Sequence, residues 1–246
     1  MVKAKQGTIT IGVINVVDSL IAREVDCGAY LNCGRENAVA STKAFTSQVV
    51  VLSMISIWFS SLNTSDVNLN TNSRIIYNIR RLPDDIIQTI EDNTEHCKKI
   101  AKTLVSTPSI FILGKENYLS VAKEGSLKMK EIGYIHAEGY SSAALKHGPY
   151  ALLNDGFPVI LLSPNDESFV RNQGVFDELK SRGAMVIGVS DSELCNAYDF
   201  KIRVPSGGYT ELLMNTVLQL IAYYLSVEKG INPDYPRNIA KVLSTD

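Results

Sequence analysis

The chain is poor in the residues that mark several protein classes. Its 246 residues hold four cysteines and three histidines. Cys27, Cys33, Cys97 and Cys195 do not stand at metal-finger spacing, and only His96 adjoins one of them. No metal or cofactor is therefore expected, and the thiols read as reduced. There is no surplus of positive charge: the formal net charge is -2 and no Lys/Arg-rich run occurs. That balance argues against a nucleic-acid partner. Met1–Gly7 is polar and leads straight into a strand-like run, so no secretory signal is read there, and a cytoplasmic location is expected. The apolar run Val49–Phe59 falls short of the ~20 residues a bilayer needs. It is expected to be a buried core helix, with no membrane partner.

What is present describes an ordinary globular protein, with 45% hydrophobic and 20% charged residues. Thr8–Val16 (TITIGVINV) is a β-branched run suited to a buried parallel strand. A helical turn over Ser19–Glu24 and a second strand over Val25–Asn32 follow. A helix should then start at Ser41 or Thr42 and run to about Ser61. Residues 63–73 (NTSDVNLNTNS) read as a linker. Beyond them come one or two helices over Asn78–Thr107, with Pro83 at an entry position and Ile86, Ile90, Cys97, Ile100, Ala101 and Leu104 roughly in phase. Strands are expected at Ser109–Leu113, Pro158–Ser163, Ala184–Ser190 and Phe200–Val204. They alternate with helices, one carrying Glu124, Lys128 and Glu131 and the others over Glu167–Arg182 and Glu211–Lys229. The fold class predicted is α/β, a three-layer sandwich with a parallel sheet. Residues 73–246 would form one complete domain with a C-terminal tail. Residues 1–72, linker included, would be part of a preceding domain, because two strands and one helix cannot cover a parallel sheet.

The stretch with most chemical capacity is Val121–Pro149. Glu124, Lys128 and Glu131 stand at i, i+4 and i+7, which puts them on one helical face. His136, Glu138, Lys146 and His147 follow. A carboxylate face near a Lys-His-Gly-Pro turn suits proton transfer. A solvated helix with two ion pairs and a polar loop fits the same spacing. Thr42 and Lys43 sit at an expected helix N-terminus, a place for an anion or a sugar hydroxyl.

Four motifs together carry a resemblance: VASTKAFTSQ (39–48), KEGSLKMKEIGYIHAEGY (123–140), LKHGP (145–149) and YPRNIAK (235–241). In their order and spacing they resemble the isomerase half of the glutamine–fructose-6-phosphate aminotransferase (glucosamine-6-phosphate synthase) family, within the sugar-isomerase (SIS) superfamily. The resemblance implies that fructose 6-phosphate is the substrate and glucosamine 6-phosphate the product. It implies that Glu131 moves a proton between C1 and C2 of the open-chain sugar. Lys241 would form a Schiff base with it. His147 would help open the ring and reach the site from a neighbouring subunit, so a homodimer is expected. Glu124 and Lys128 would line the site, and Val39, Ser41, Thr42 and Ala240 would contact the sugar or border it. The chemistry agrees, since enolisation needs one base serving two adjacent carbons and an imine at C2 is an electron sink.

Three departures from the family pattern stand out. Met1 is followed by Val2 and not by the family's cysteine nucleophile, so a glutaminase domain is expected to be missing. An S-Q-S-G-E-type phosphate loop, which in the family lies upstream of the region matching Thr8–Val16, is likewise missing from the sequence. Ala143-Ala144 stands where the family has Gly-Glu. The chain therefore reads as N-terminally truncated and impaired in isolation, since much of a sugar phosphate's binding energy lies in its phosphate. The alternatives are a non-catalytic SIS sugar-phosphate-binding module and a related fructosamine-6-phosphate deglycase or sugar isomerase.

Overall fold

The computed structural model describes residues 7–62 and 66–240, and the chain divides into two compact units, Met1–Ile79 and Arg80–Asp246. In the first unit, β1 (Ile11–Ile14) and β2 (Cys27–Tyr30) pair in parallel, with Ile11 opposite Cys27. Helix α1 (Leu20–Glu24) makes the crossover. Ser19 caps it, its Oγ accepting from the Ala22 N–H at 3.3 Å. Helix α2 (Lys43–Ser61) follows and corrects an expectation. It is not a buried core helix: none of its residues is buried, and Leu52, Met54, Trp58 and Phe59 are exposed. A two-stranded sheet has too little apolar area to cover a 19-residue helix. Among the described residues α2 alone is long and apolar enough to cross a membrane, by length and composition.

Helix α3 (Asp66–Leu104) corrects two further readings. The expected linker is helical from Asp66 onward, and Pro83 lies inside the helix. Asn, Ser and Thr cost a helix only roughly half a kcal/mol each, and no glycine or proline intervenes between Asp66 and Pro83. Pro83 cannot donate to the carbonyl four residues back, that of Ile79, and the two units divide there. The buried face of α3 in the second unit is Leu82, Asp85, Thr89, Asn93, Cys97, Ile100, Ala101 and Leu104. Ile86 and Ile90 are off it. Polar residues hold that face because their bonds are made. Asp85 pairs with Arg81 at 2.9 Å, and Asn93 Nδ2 donates to the Arg203 carbonyl at 2.9 Å.

The second unit continues with β3 (Ser109–Gly114), α4 (Tyr118–Glu131) and β4 (His136–Ser141). Two 3-10 turns, Leu145–His147 and Pro149–Leu152, precede β5 (Pro158–Leu162) and α5 (Phe169–Lys180). Strands β6 (Met185–Ser190) and β7 (Phe200–Arg203) and helix α6 (Thr210–Glu228) complete it. The five strands are all parallel, in the order β4-β3-β5-β6-β7. This is the doubly wound α/β order in which the chain steps outward from a first strand in both directions. All six residues of β4 pair one to one with β3, Ser109 facing His136 and Gly114 facing Ser141.

The sheet is covered on both faces, as the three-layer expectation requires. Phe111, Leu113, Val159, Leu161 and Val186 join Phe176 and Leu179 of α5 in one core. The alternate positions Ile110, Ile112, Ile160 and Ile187 point to the other face, where α4 packs on β3, β4 and α6. All nine of these strand residues are fully shielded. Each contributes on the order of 1.5–3 kcal/mol by leaving water.

Candidate active site

Two close approaches fix helix α4 and, with it, its charged face. Gly139 of β4 lies under the helix: a Cβ there would stand 2.6 Å from the Lys123 backbone nitrogen. Gly125 faces α6, where a Cβ would meet Leu218 Cδ1 at 2.3 Å. Pressed against strand and helix in this way, α4 carries Lys128 into the interior, with its side chain 2% exposed. The ammonium is 2.7 Å from Glu131 Oε2 and 3.3 Å from Glu124 Oε1. Spacing alone left a solvated charged face open, and the burial of Lys128 removes that reading. A buried ammonium costs several kcal/mol unless it is paired. Here two carboxylates answer one cation, so the cluster carries a net negative charge. Glu131 Oε1 has no hydrogen-bond partner among the described residues, which leaves an oxygen able to take a proton.

The turn after α4 ties this cluster to the C-terminal tail. Tyr134 adopts a left-handed backbone (φ 51°) directly after Gly133. Lys229 Nζ donates to the Gly133 carbonyl at 2.9 Å, and burial pushes the Lys229 amine below its usual range. The Tyr134 hydroxyl accepts from the Arg237 N–H at 2.7 Å, while the Arg237 guanidinium lies 4.5 Å from the Tyr134 ring centre. A cleft of about 480 Å³ results, lined by Glu131, Tyr134, His136, Arg237, Asn238 and Ile239 among others. Ala240 continues from it as an exposed residue. Lys241 lies outside the described residues.

His147 stands elsewhere. Glu131 ends α4 just ahead of the start of β4, whereas His147 follows the end of β4 in the first 3-10 turn, exposed. A six-residue strand spans ~20 Å. Within one chain, then, the two residues lie at opposite edges of the sheet. The acid cluster also lies at the amino-terminal edge, not at the carboxyl ends of the strands where doubly wound folds commonly bind ligands. His136 borders the cleft; its Nδ1 is 3.3 Å from Ser109 Oγ and its Nε2 3.8 Å from Glu138.

In the first unit, the segment Val39–Thr42 leads into α2, with Val39 and Ser41 partly buried. Neither expected cap forms: Thr42 occupies the cap position without a side-chain bond to the helix. The Glu36 carboxylate does the work. It accepts from the Thr42 N–H at 2.6 Å and from Ser41 Oγ at 3.2 Å, bringing negative charge to the positive helix end. Lys43 Nζ turns back to the Arg35 carbonyl at 2.8 Å. Sequence reasoning gave no role to Glu36, Tyr134 or Glu178. Tyr134 sat inside a quoted motif, whereas nothing in the local pattern marked the other two. Among the described residues no group of three or more His, Cys, Asp or Glu is placed to hold a metal ion.

Residues 103–229 match the family model described as the SIS domain, more than half of the chain. The chain belongs to the SIS-domain family, an α/β class with a parallel sheet. Its relatives narrow the class. It is 46% identical over 241 residues to the "probable glutamine–fructose-6-phosphate aminotransferase (isomerizing)" of Acanthamoeba polyphaga mimivirus, covering 96% of this chain and 39% of that protein. It is 38% identical over 253 residues to the enzyme of the same name from Thermococcus kodakarensis, covering 98% and 40%. A solved structure described as the C-terminal domain of glucosamine-fructose-6-phosphate aminotransferase from Francisella tularensis superposes with a TM-score of 0.86. Its identity is 27%, and 92% of this chain and 64% of that one are covered. The chain thus spans about two fifths of the length of the curated relatives it matches.

Proposed function

We propose that the chain is the isomerase portion of an isomerising glutamine–fructose-6-phosphate aminotransferase, converting fructose 6-phosphate toward glucosamine 6-phosphate. The observation that carries this reading is the meeting of Glu131 with the Arg237–Ile239 tail in one cleft. Glu131, whose Oε1 has no hydrogen-bond partner among the described residues, borders a segment followed in sequence, two residues past Ile239, by a lysine. In this scheme the Lys241 amine adds to the C2 carbonyl of the open-chain sugar and water leaves, giving an imine. Ammonia then exchanges with the lysine at C2, which frees the Lys241 amine and leaves the ammonia-derived imine. Glu131 takes the C1 proton as the C1–C2 double bond forms and the imine electrons move to nitrogen, which takes up a proton. Glu131 then returns its proton to C2 while the C1 hydroxyl loses one and becomes the aldehyde, giving glucosamine 6-phosphate. Lys128 holds the Glu131 carboxylate in place between the two transfers.

The separation of Glu131 and His147 across the sheet supports a homodimer in which a neighbouring subunit's His147 completes each site. The test is kinetic. Supplied with fructose 6-phosphate, the protein should form glucose 6-phosphate; with ammonia added, it should form glucosamine 6-phosphate. Tight sugar-phosphate binding with neither product, in this chain and in a longer chain carrying the upstream region, would sink the proposal and favour a binding module.

A further inference from the structure

The turn that carries His147 is braced by Glu178 of α5, 28 positions beyond Tyr150. Leu145, just ahead of His147, is fully buried in the core with Phe176 and Leu179 of α5. On either side of His147 the chain is then held by one carboxylate. Lys146 Nζ lies 2.6 Å from Glu178 Oε1, and the Tyr150 hydroxyl donates to Glu178 Oε2 at 2.7 Å. The two oxygens thus take one partner each, one before His147 and one after it. Arg182, two residues past the end of α5, closes the group. Its guanidinium is 4.3 Å from the Tyr150 ring centre and its Nη1 donates to the Glu178 carbonyl at 2.6 Å. Between the braced ends Gly148 has φ 132°, a region that L side chains rarely adopt, so the chain reverses sharply and leaves the imidazole exposed.

The ionisation of these groups agrees with the geometry. Lys146, then Tyr150, hold the Glu178 carboxyl below its usual range. Burial, then the bond to Glu178, raise the Tyr150 phenol. Glu178 is therefore charged and Tyr150 a donor across the neutral range. The brace also meets a gap in the local sequence: Ala144 precedes Leu145 and offers Lys146 no charge.

We propose that Glu178 is a positioning residue for His147, fixing the Lys146–Tyr150 turn on α5 so that the imidazole is presented to the sugar ring. This rests on the reading of His147 as the ring-opening group. Two substrates separate positioning from mere stability. Fructose 6-phosphate is cyclic, whereas its 5-deoxy analogue lacks the hydroxyl that closes the furanose ring and stays open. In the full chain, Glu178→Ala should lower kcat on fructose 6-phosphate by about tenfold to a hundredfold. The same variant should hold the open-chain analogue within about twofold, because proton transfer at Glu131 is untouched. Glu178→Asp, which keeps the charge, should recover part of the loss. His147→Ala is the control and should show the same split. If the control shows the split and Glu178→Ala slows both substrates alike, or neither, Glu178 has no positioning role. If the control itself shows no split, the reading of His147 fails, and amide exchange then decides on Glu178. The His147 and Ala151 amides, bonded to Ala144 and Gly148 carbonyls at 3.1 and 2.9 Å, should exchange about tenfold faster in Glu178→Ala while β5 amides are unchanged. Unchanged exchange in the turn overturns the proposal whether or not turnover is measurable.

Discussion

The ammonium of Lys128 lies 2.7 Å from the Glu131 carboxylate with only 2% of the lysine side chain exposed. A cation in that position is held by its partners and in turn holds them. Lys128→Met keeps the volume and removes the charge, leaving Glu124 and Glu131 to repel each other at 14% and 21% exposure. The variant should lose about 3 kcal/mol of unfolding free energy in urea titration, near the lower end for breaking a buried pair. Glu131→Gln leaves Glu124 to pair the ammonium and should cost less than about 1.5 kcal/mol. Its isomerase activity should nevertheless fall by about a hundredfold or more. Retained activity in Glu131→Gln would exclude that carboxylate as the proton shuttle.

The Tyr134 hydroxyl is the anchor of the tail, accepting from the Arg237 backbone N–H at 2.7 Å. Tyr134→Phe keeps the ring under the guanidinium and deletes only the acceptor. The global melt should move by no more than about 1 kcal/mol, the worth of one hydrogen bond. Limited proteolysis beyond Pro236 should quicken several-fold, and kcat should fall with KM little changed. A tail that stays as resistant as in the parent would show that the stacking contact alone holds it.

Much of this arrangement was legible in the sequence, and what was missed has physical causes. β3, β5 and β6 announce themselves as apolar, β-branched-rich runs because both faces of a covered parallel sheet are apolar, while β7 (FKIR) reads as a short edge strand. β4 does not, since HAEGYS lies at the sheet's edge and meets α4 through a glycine instead of a large side chain. The Glu124–Lys128–Glu131 face follows from helical periodicity, but its burial does not, because it depends on how closely Gly125 and Gly139 let α4 approach. Residues 66–73 look like a linker by composition and are helical, an instance of context overriding weak propensity. The Tyr134–Arg237 and Lys146–Glu178 contacts join residues 103 and 32 positions apart, beyond any local pattern.

Cys97, on the inner face of α3, gives a pH-dependent signature of that core. Burial pushes its thiol up to about 12, from an ordinary 9.0. Below pH 9 the folded and unfolded chains both keep the proton, and the contribution is complete. As pH rises from 9 toward 12 the unfolded chain releases a proton that the folded chain retains. Stability then falls by about 1.4 kcal/mol per pH unit from this group. Cys97→Ala removes that slope and adds a pH-independent cavity cost. The difference in unfolding free energy between parent and variant should therefore shrink by about 1 kcal/mol between pH 9 and pH 10, where the unfolded thiol passes from half to mostly ionised. The exposed Cys27 and Cys195 should be alkylated in the native protein while Cys97 is spared. A constant difference across this range would mean that the thiol is not shielded.

Glu131 and His147 stand at opposite edges of one sheet, so a single chain does not bring them together. If each site draws its histidine from a neighbouring subunit, two inactive variants should repair one another. In a Glu131→Gln and His147→Ala heterodimer, the subunit that keeps Glu131 receives an intact His147 from the other, while the reciprocal site loses both. Random reassortment of equal amounts makes half the dimers mixed, each with one working site. About a quarter of the parent activity should return after mixing and dissociation–reassociation. No recovery, with mixed dimers demonstrated by differential tagging, would place both residues in the service of the same chain. Sedimentation gives a second check: a species that is only monomeric at micromolar concentration would leave no subunit to supply the histidine.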